Sequence, residues 1–519
     1  MDAERRRVVT QTLGLALGLF AVAAVLVGVS NLLGGSSNPF GPFDWVSRLA
    51  SAQAASRVGS AAEVVAGVLA VAITVVAIVM ELAANRYTPR ITGLFVREPV
   101  NIVVMSFFVV TSVVCQWVAT DPGLSPGEGV PLLRNATAVL AVGMATASLL
   151  ILLPYFAFVF RFLSPLLVVD RICQAGVRTL ERAADAPEKA RDELVEVVEE
   201  IEDVARSAQE HSDRRIAIAA VEALVGLVEA CAARRNSLPE SWFQVDEIGD
   251  PDFVAMAPVV LDEVRRERIW LETKVLRKFL DLFGASLGPG RALANLIALE
   301  TRKLAEGAHA GHPELFYLCV RFFNSYLRAA INARDLRTAY YVLDQYRLLA
   351  TALLGHADPG EVRRLAEHLS TYGWLGYEQD QGFLLEVVAH DLGELIEAAA
   401  LRDPGRVDEL LDVFLQVDRE AAGPEELPLQ GVRRAQVRLA TFFLARGDEP
   451  RARRIYLDMV DERPERLEAV RQEILAVESA KYREFTDRGV DFAYLSPERR
   501  ALVERFYAWF KEPRPAAGA

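Results

Sequence analysis

The chain has 519 residues, 52% of them hydrophobic, with 57 basic and 70 acidic residues and a formal net charge of −13. Its mean hydropathy of +0.19 is high for a water-soluble chain and low for one that lies mostly in a membrane. Residues 1–160 hold nine basic and eight acidic residues, leaving 48 basic and 62 acidic ones beyond them; so acidic a remainder argues against nucleic acid as a main partner, because phosphate recognition needs basic patches.

A membrane span needs about 20 apolar residues. Four stretches qualify: Val8–Val29, Ala61–Met80, Val100–Val118 and Ala136–Phe160. The first is long for a signal peptide and no clear cleavage site follows it, so it reads as retained. Positive charge orients the spans. Arg5, Arg6 and Arg7 precede the first, Arg86, Arg90 and Arg97 lie between the second and third, and Arg161, Arg171 and Arg178 follow the fourth. The opposite side holds only Arg48, Arg57 and Arg134. Both termini are therefore expected in the cytoplasm. Few lysines among many arginines and alanines suit a bacterial chain, which places it in the inner membrane. In the first outside loop, Phe40, Phe43 and Trp45 have the character of interfacial aromatics, and residues 43–57 are expected to form a short helix on the membrane surface.

Span two carries a stripe. Glu63 and Glu81 are 18 residues apart, which is five full helical turns, or about 27 Å of rise. Gly67, Ala70, Thr74, Ala77 and Asn85 fall on the same face. The remaining positions from Val64 to Met80 are Val, Ile, Leu, Met or Ala. Two readings stand. Small residues let helices approach closely in lipid, and Gly14 with Gly18 in span one and Ala141 with Ala145 in span four offer matching surfaces. Alternatively, in a homo-oligomer the stripe lines an axis, with rings of Glu63 and Glu81 favouring cations at the two mouths. On span three, Asn101, Met105, Ser112 and Gln116 share a side suited to packing on that stripe, and Pro154 is expected to bend span four.

The link "ELAANRYTPRITGLFVREPVN" (81–101) is too elaborate for a plain loop. The span-two helix should continue through "ELAAN" and end near Arg86 and Tyr87, after which Thr88 and Pro89 suit the start of a second short helix. Arg86, Thr88, Pro89, Arg90 and Arg97 thus form an elbow able to couple a cytoplasmic domain to the stripe, or else a basic loop on the inner surface. This stretch, with the span after it, resembles a bacterial family of predicted membrane proteins of unknown function (DUF2254), which carries a Ser/Thr-Pro-Arg element matched here by Thr88, Pro89 and Arg90. The resemblance covers about residues 61–120 and brings no settled activity; "LGPGRALAN" at 287–295 departs from the family's "SPGxNDP"-like segment.

Beyond residue 163 the pattern is helical. Residues 163–235 read as a connector, with Leu194, Val197, Val198, Ile201 and Val204 on one stripe. "NSLPESWFQVDEIGDPD" (236–252) reads as a loop and subdomain boundary, and 236–519 as helical hairpins. In 438–465, Leu439, Ala440, Phe443, Gly447, Ala452, Tyr456 and Pro464 fit the tetratricopeptide pattern. "YLRAAINARDLRTAYYVLDQY", with Ala339, and "LIEAAALRDPGRVDELLDVFLQ" are weaker copies. Cys115, Cys173, Cys231 and Cys319 show no metal or redox spacing and read as reduced thiols. His309 and His312 are separated by Gly311 and followed by Pro313, which disfavours a shared metal.

No nucleotide-binding, hydrolase or metalloprotease motif is present. The expectation is an all-α protein: a four-span transmembrane domain (1–162), then a cytoplasmic domain of tetratricopeptide-like hairpins. The function expected first is a homo-oligomeric cation-permeable channel gated by that domain. The alternative is a membrane-anchored scaffold for a cytoplasmic protein partner. No catalysis, cofactor or metal is expected.

Overall fold

A computed structural model describes residues 54–86, 95–96, 98–120, 131–162, 164–245, 250–288, 290–356, 359–418, 427–481 and 488–511. The expected first span and its Gly14 and Gly18 lie outside these residues. The chain forms two compact units, Met1–Ile172 and Cys173–Ala519, and the described part is helical apart from one isolated bridge between Lys481 and Val490.

The described part of the first unit is three packed helices: α1 (Ala54–Arg86), α2 (Pro99–Thr120) and α3 (Pro131–Phe162). Apolar stretches within them, Gly59–Leu82, Pro99–Ala119 and Leu140–Phe160, correspond to the second, third and fourth expected spans. α1 ends at Arg86 as expected, and residues 54–57 are its first described residues; the rest of the expected surface helix, residues 43–53, lies outside the described residues. The seam of α2 and α3 uses small residues: Ala141, Ala145 and Ser148 are buried, and the Cys115 thiol lies 3.5 Å from the Ala141 carbonyl. Close approach of this kind replaces the hydrophobic drive that is missing between helices in lipid.

The second unit contains α4 (Pro165–Arg182, which the unit boundary crosses), α5 (Pro187–Glu210), α6 (Arg214–Arg234), α7 (Pro251–Val254), α8 (Pro258–Arg266), α9 (Trp270–Ala285), α10 (Arg291–Ala308), α11 (Pro313–Asn332), α12 (Leu336–Ala352), α13 (Pro359–Glu378), α14 (Phe383–Arg402), α15 (Val407–Phe414), α16 (Leu427–Ala445), α17 (Glu449–Met459), α18 (Pro464–Ala476), α19 (Pro497–Arg500) and α20 (Val503–Ala508). The stretch Arg214–Ser237 is also long and apolar enough to cross a membrane. Its helix α6 nevertheless packs against α5, α9 and α10, and Leu224, Leu227, Val228 and Cys231 are fully enclosed.

One turn recurs in this unit. Ser212, Arg268, Arg334, Asp380 and Gly447 all adopt positive φ, between 54° and 75°. The next amide in each case bonds the carbonyl five residues back: Asp213 to Ala208, Ile269 to Val264, Asp335 to Ala330, Gln381 to Gly376 and Asp448 to Phe443. That is the Schellman closure of a helix C-terminus. Asp213, Asp335 and Asp448 then cap the following helix, accepting from Ile216, Thr338 and Arg451 amides. The same device therefore builds the α5–α6, α8–α9, α11–α12, α13–α14 and α16–α17 hairpins. Within α16–α17 the tetratricopeptide positions Leu439, Ala440, Phe443, Ala452 and Tyr456 are buried, and Gly447 takes the left-handed position at φ 75°. Ala339 of the weaker copy is also fully buried. α13 and α14 touch closely: a Cβ on Gly373 would meet Val388 at 2.9 Å, and one on Gly376 would meet Leu384 at 2.8 Å.

Residues 236–252 do more than connect. Trp242 and Phe243 are buried, as is Phe253 just beyond the stretch. The Trp242 and Trp270 rings meet edge-on at 5.1 Å, and the buried Arg191 guanidinium donates to the Ser241 and Gln244 carbonyls. Its described parts, residues 236–245 and 250–252, are fixed within the second unit.

Candidate functional site

α1 is covered on one side. Ala62, Val65, Ala72, Val76 and Met80 are buried against α2 and α3. Glu63, Gly67, Ala70, Thr74, Ala77 and Glu81 are all exposed, roughly 140° away around the helix. The expected stripe is thus a real face that the neighbouring described helices leave open. Large apolar residues beside it, among them Val64, Val71 and Ile78, are exposed as well. The Thr74 hydroxyl donates to the Ala70 carbonyl at 2.8 Å. Its proton is therefore used within the helix, and its oxygen lone pairs remain available to a cation. Asn85 is helical and Arg86 closes α1. Thr88, Pro89, Arg90 and Arg97 of the elbow lie outside the described residues.

The expectation that α2 covers the stripe through Asn101, Met105, Ser112 and Gln116 holds only at one end. Ala77, Glu81, Asn101 and Met105 line one groove of about 600 Å³ between α1 and α2, walled by Ile73, Val76, Met80, Phe95 and Val109. The polar side of α2 has other uses as well. Asn101 accepts from the Tyr155 hydroxyl of α3 at 2.6 Å, and Ser112 donates to the Phe108 carbonyl at 3.0 Å.

Two buried charge clusters of the second unit are not apparent in the sequence. In the first, the carboxylates of Glu199, Asp250 and Asp252 lie within 4.8 Å of one another, as a metal site requires. The ammonium of the fully buried Lys274 already occupies their centre. It bonds Asp250, Asp252 at 3.1 Å and Glu199 at 3.2 Å. Lys278 and Arg277 reach Asp252 at 3.1 and 3.2 Å. Two ammonium groups and one guanidinium facing three carboxylates make this a structural knot, in which Lys274 does what a metal ion would do.

In the second, Arg488 grips the fully buried Asp391 of α14 with both terminal nitrogens, donates to the Tyr340 carbonyl at 2.7 Å and lies over the Tyr340 ring at 4.1 Å. Burial alone would raise the Asp391 carboxyl, but Arg488 and His390 hold it below its ordinary value. His390 stacks on Phe492 at 4.0 Å, and burial pushes its imidazole below the ordinary histidine value. Arg438 of α16 donates to the Phe492 and Tyr494 carbonyls. Residues 488–494 are thereby strapped across α12, α14 and α16. Replacing Arg488 with Met should destabilise the unit by about 2 kcal/mol, the loss being limited because Arg347 stands 3.6 Å from Asp391. Adding Asp391→Asn should restore part of it. Thermal unfolding of both variants checks this, and a double variant no better than the single one contradicts it.

His309 pairs with Glu361 at 2.9 Å and closes α10, while His312 stands just before the start of α11, so the two do not share a helix. All four cysteines are free thiols, three buried and Cys173 partly so.

Comparison with known proteins agrees with the membrane reading. No curated protein matches the chain. A solved structure described as a circular tandem repeat protein with novel repeat topology and enhanced subunit contact surfaces covers 96% of each chain at 14% identity, with a TM-score of 0.34, too low to bear on fold or function. The family model described as "Predicted membrane protein (DUF2254)" matches residues 8–234, well beyond the 61–120 that the elbow and its flanking spans suggested. From the first apolar stretch through the end of α6, therefore, the chain matches the DUF2254 family of predicted membrane proteins.

Proposed function

We propose that this chain is the subunit of a homo-oligomeric, cation-permeable channel. In this reading it sits in a bacterial inner membrane with both termini and the second unit in the cytoplasm. The observation that carries the reading is the open face of α1, where Glu63, Gly67, Ala70, Thr74, Ala77 and Glu81 are exposed while the opposite side is packed. Ionisable residues on membrane spans mark ion pathways when they face a water-filled cavity. Two carboxylates about 27 Å apart on one small-residue face fit the two mouths of an aqueous path. The second unit would act on that path through the elbow from Arg86 to Arg97. The chain carries no catalytic motif, and this reading assigns it none.

Purified protein in planar bilayers should pass cations in preference to anions. Glu63→Gln together with Glu81→Gln should lower that preference by roughly tenfold, as expected when rings of like charge are removed. Absence of current from folded, membrane-inserted protein defeats the reading.

A further inference from the structure

The groove between α1 and α2 is polar at one end only. Glu81 and Asn101 stand at the end nearest the link that joins the two helices, and Glu81 is the one ionisable side chain on its described lining. From there the lining turns apolar. Val76, Met80 and Phe95 are buried and form the floor, while Ile73, Val96 and Val109 are exposed at the rims. The residues that α1 and α2 contribute lie within the apolar stretches Gly59–Leu82 and Pro99–Ala119. On α1 the lining reaches Leu69, 12 residues before Glu81, or about 18 Å along the helix. Half of a hydrocarbon core is about 15 Å. The groove therefore runs from a membrane boundary to about the midplane, the depth of one leaflet.

Dimensions and charge choose the occupant. About 600 Å³ spread over about 18 Å leaves a mean cross-section of roughly 33 Å². A helix about 10 Å across needs roughly 80 Å² and crosses both leaflets, so a span of a second copy does not seat here. A single flexible hydrocarbon chain does. At the polar end Glu81 is exposed, and a carboxylate there attracts an ammonium and repels a headgroup of net negative charge. Asn101 accepts the Tyr155 hydroxyl through Oδ1 at 2.6 Å, which leaves its amide N–H groups to donate to ester or phosphate oxygens. Arg86, Arg90 and Arg97 follow in the sequence. Their attraction is for the phosphate that all phospholipids carry, whereas only Glu81 distinguishes an ammonium.

We propose that the groove holds one acyl chain of a phosphatidylethanolamine molecule, with the lipid ammonium on the Glu81 carboxylate. The inference rests on α1 and α2 lying in a bilayer and does not depend on conduction. Of the open stripe, only Ala77 and Glu81 belong to the groove.

The test reconstitutes the full chain with equal amounts of phosphatidylethanolamine and phosphatidylglycerol, extracts it in mild detergent and weighs it by native mass spectrometry. The parent should retain phosphatidylethanolamine in preference. Glu81→Gln should lower that preference roughly fivefold, the loss of one ion pair at a wet boundary. Glu63→Gln, which removes the other carboxylate of the stripe about 27 Å away, should leave it unchanged. Ala77→Phe, which puts a ring into the groove, should displace either lipid while its thermal midpoint in detergent stays near the parent's. Retention of both lipids in the proportions supplied marks annular lipid only and overturns the proposal. So does an excess of phosphatidylglycerol, or a preference that survives Glu81→Gln or falls equally with Glu63→Gln. No current is recorded in this experiment, so the channel reading and this one fail separately.

Discussion

Replacing Lys274 with Met should lower the stability of the second unit by about 3–5 kcal/mol, the cost of leaving buried charge without its partner. Met keeps most of the length and removes the ammonium. Asp250, whose side chain is fully buried, then loses its cation, while Asp252 keeps Lys278 at 3.1 Å and Arg277 at 3.2 Å. Neutralising the acids together with the lysine, as Lys274→Met with Asp250→Asn and Asp252→Asn, should recover much of the loss. The variant also uncovers three carboxylates within 4.8 Å of one another. Calcium takes oxygen ligands of this kind, so it should restabilise Lys274→Met and leave the parent chain indifferent. Denaturant unfolding with and without calcium reads both effects. A Lys274→Met protein that unfolds at the parent's midpoint rules out the knot as described.

The reach of sequence reasoning differs between the two units. In the first, hydropathy and helical spacing set the course of α1 from the stripe to its end at Arg86, because lipid leaves few alternatives to an apolar helix. Spacing alone could not show whether α2 would cover the stripe. That depends on helix rotation, which the Tyr155–Asn101 bond and the small residues of α3 help to fix. In the second unit, local signals again sufficed for hairpins such as α16–α17. The repeated closure was also present in the sequence, as Ser-Asp, Arg-Asp and Gly-Asp pairs at 212, 334 and 447 followed by helical pattern. Only Gly447 advertises a left-handed residue; Ser212 and Arg334 take that conformation, at φ 57° and 54°, without a glycine. The charge knots were out of reach. Lys274 meets Glu199 across 75 positions and Arg488 meets Asp391 across 97. In a chain with 127 Lys, Arg, Asp and Glu residues in all, no local pattern separates those partners from solvated ones. Residues 236–252 misled for a related reason. Their Pro, Gly and Asp content marks a loop, and Trp242 and Phe243 were the sign that part of it is anchored in the core.

Glu272→Gln should make the second unit more stable at neutral and alkaline pH, and little different in acid. Glu272 lies on α9 at 1% exposure, with Oε1 unbonded. Burial pushes its carboxyl up from 4.5 to about 7, against the pull of its own backbone amide and of Arg235. The buried thiols of Cys231 and Cys319 are raised in turn, chiefly by their own burial and next by Glu272. The sign follows from proton counting. Below the unfolded value both states are protonated, and Glu272 has no effect on the balance. Between 4.5 and about 7 the unfolded chain has released its proton while the folded one holds it, so stability falls as pH rises. Above that window both states are ionised, and a constant penalty of about 3 kcal/mol remains. Gln keeps the shape of the protonated acid and cannot ionise. The stability difference between Glu272→Gln and the parent should therefore climb across this window and level off above it. Subtracting the two unfolding curves at each pH cancels the contributions of Asp391, His390 and the other titrating groups that both proteins share. A difference that stays flat from acid to alkaline pH would mean that Glu272 titrates as an ordinary solvated acid.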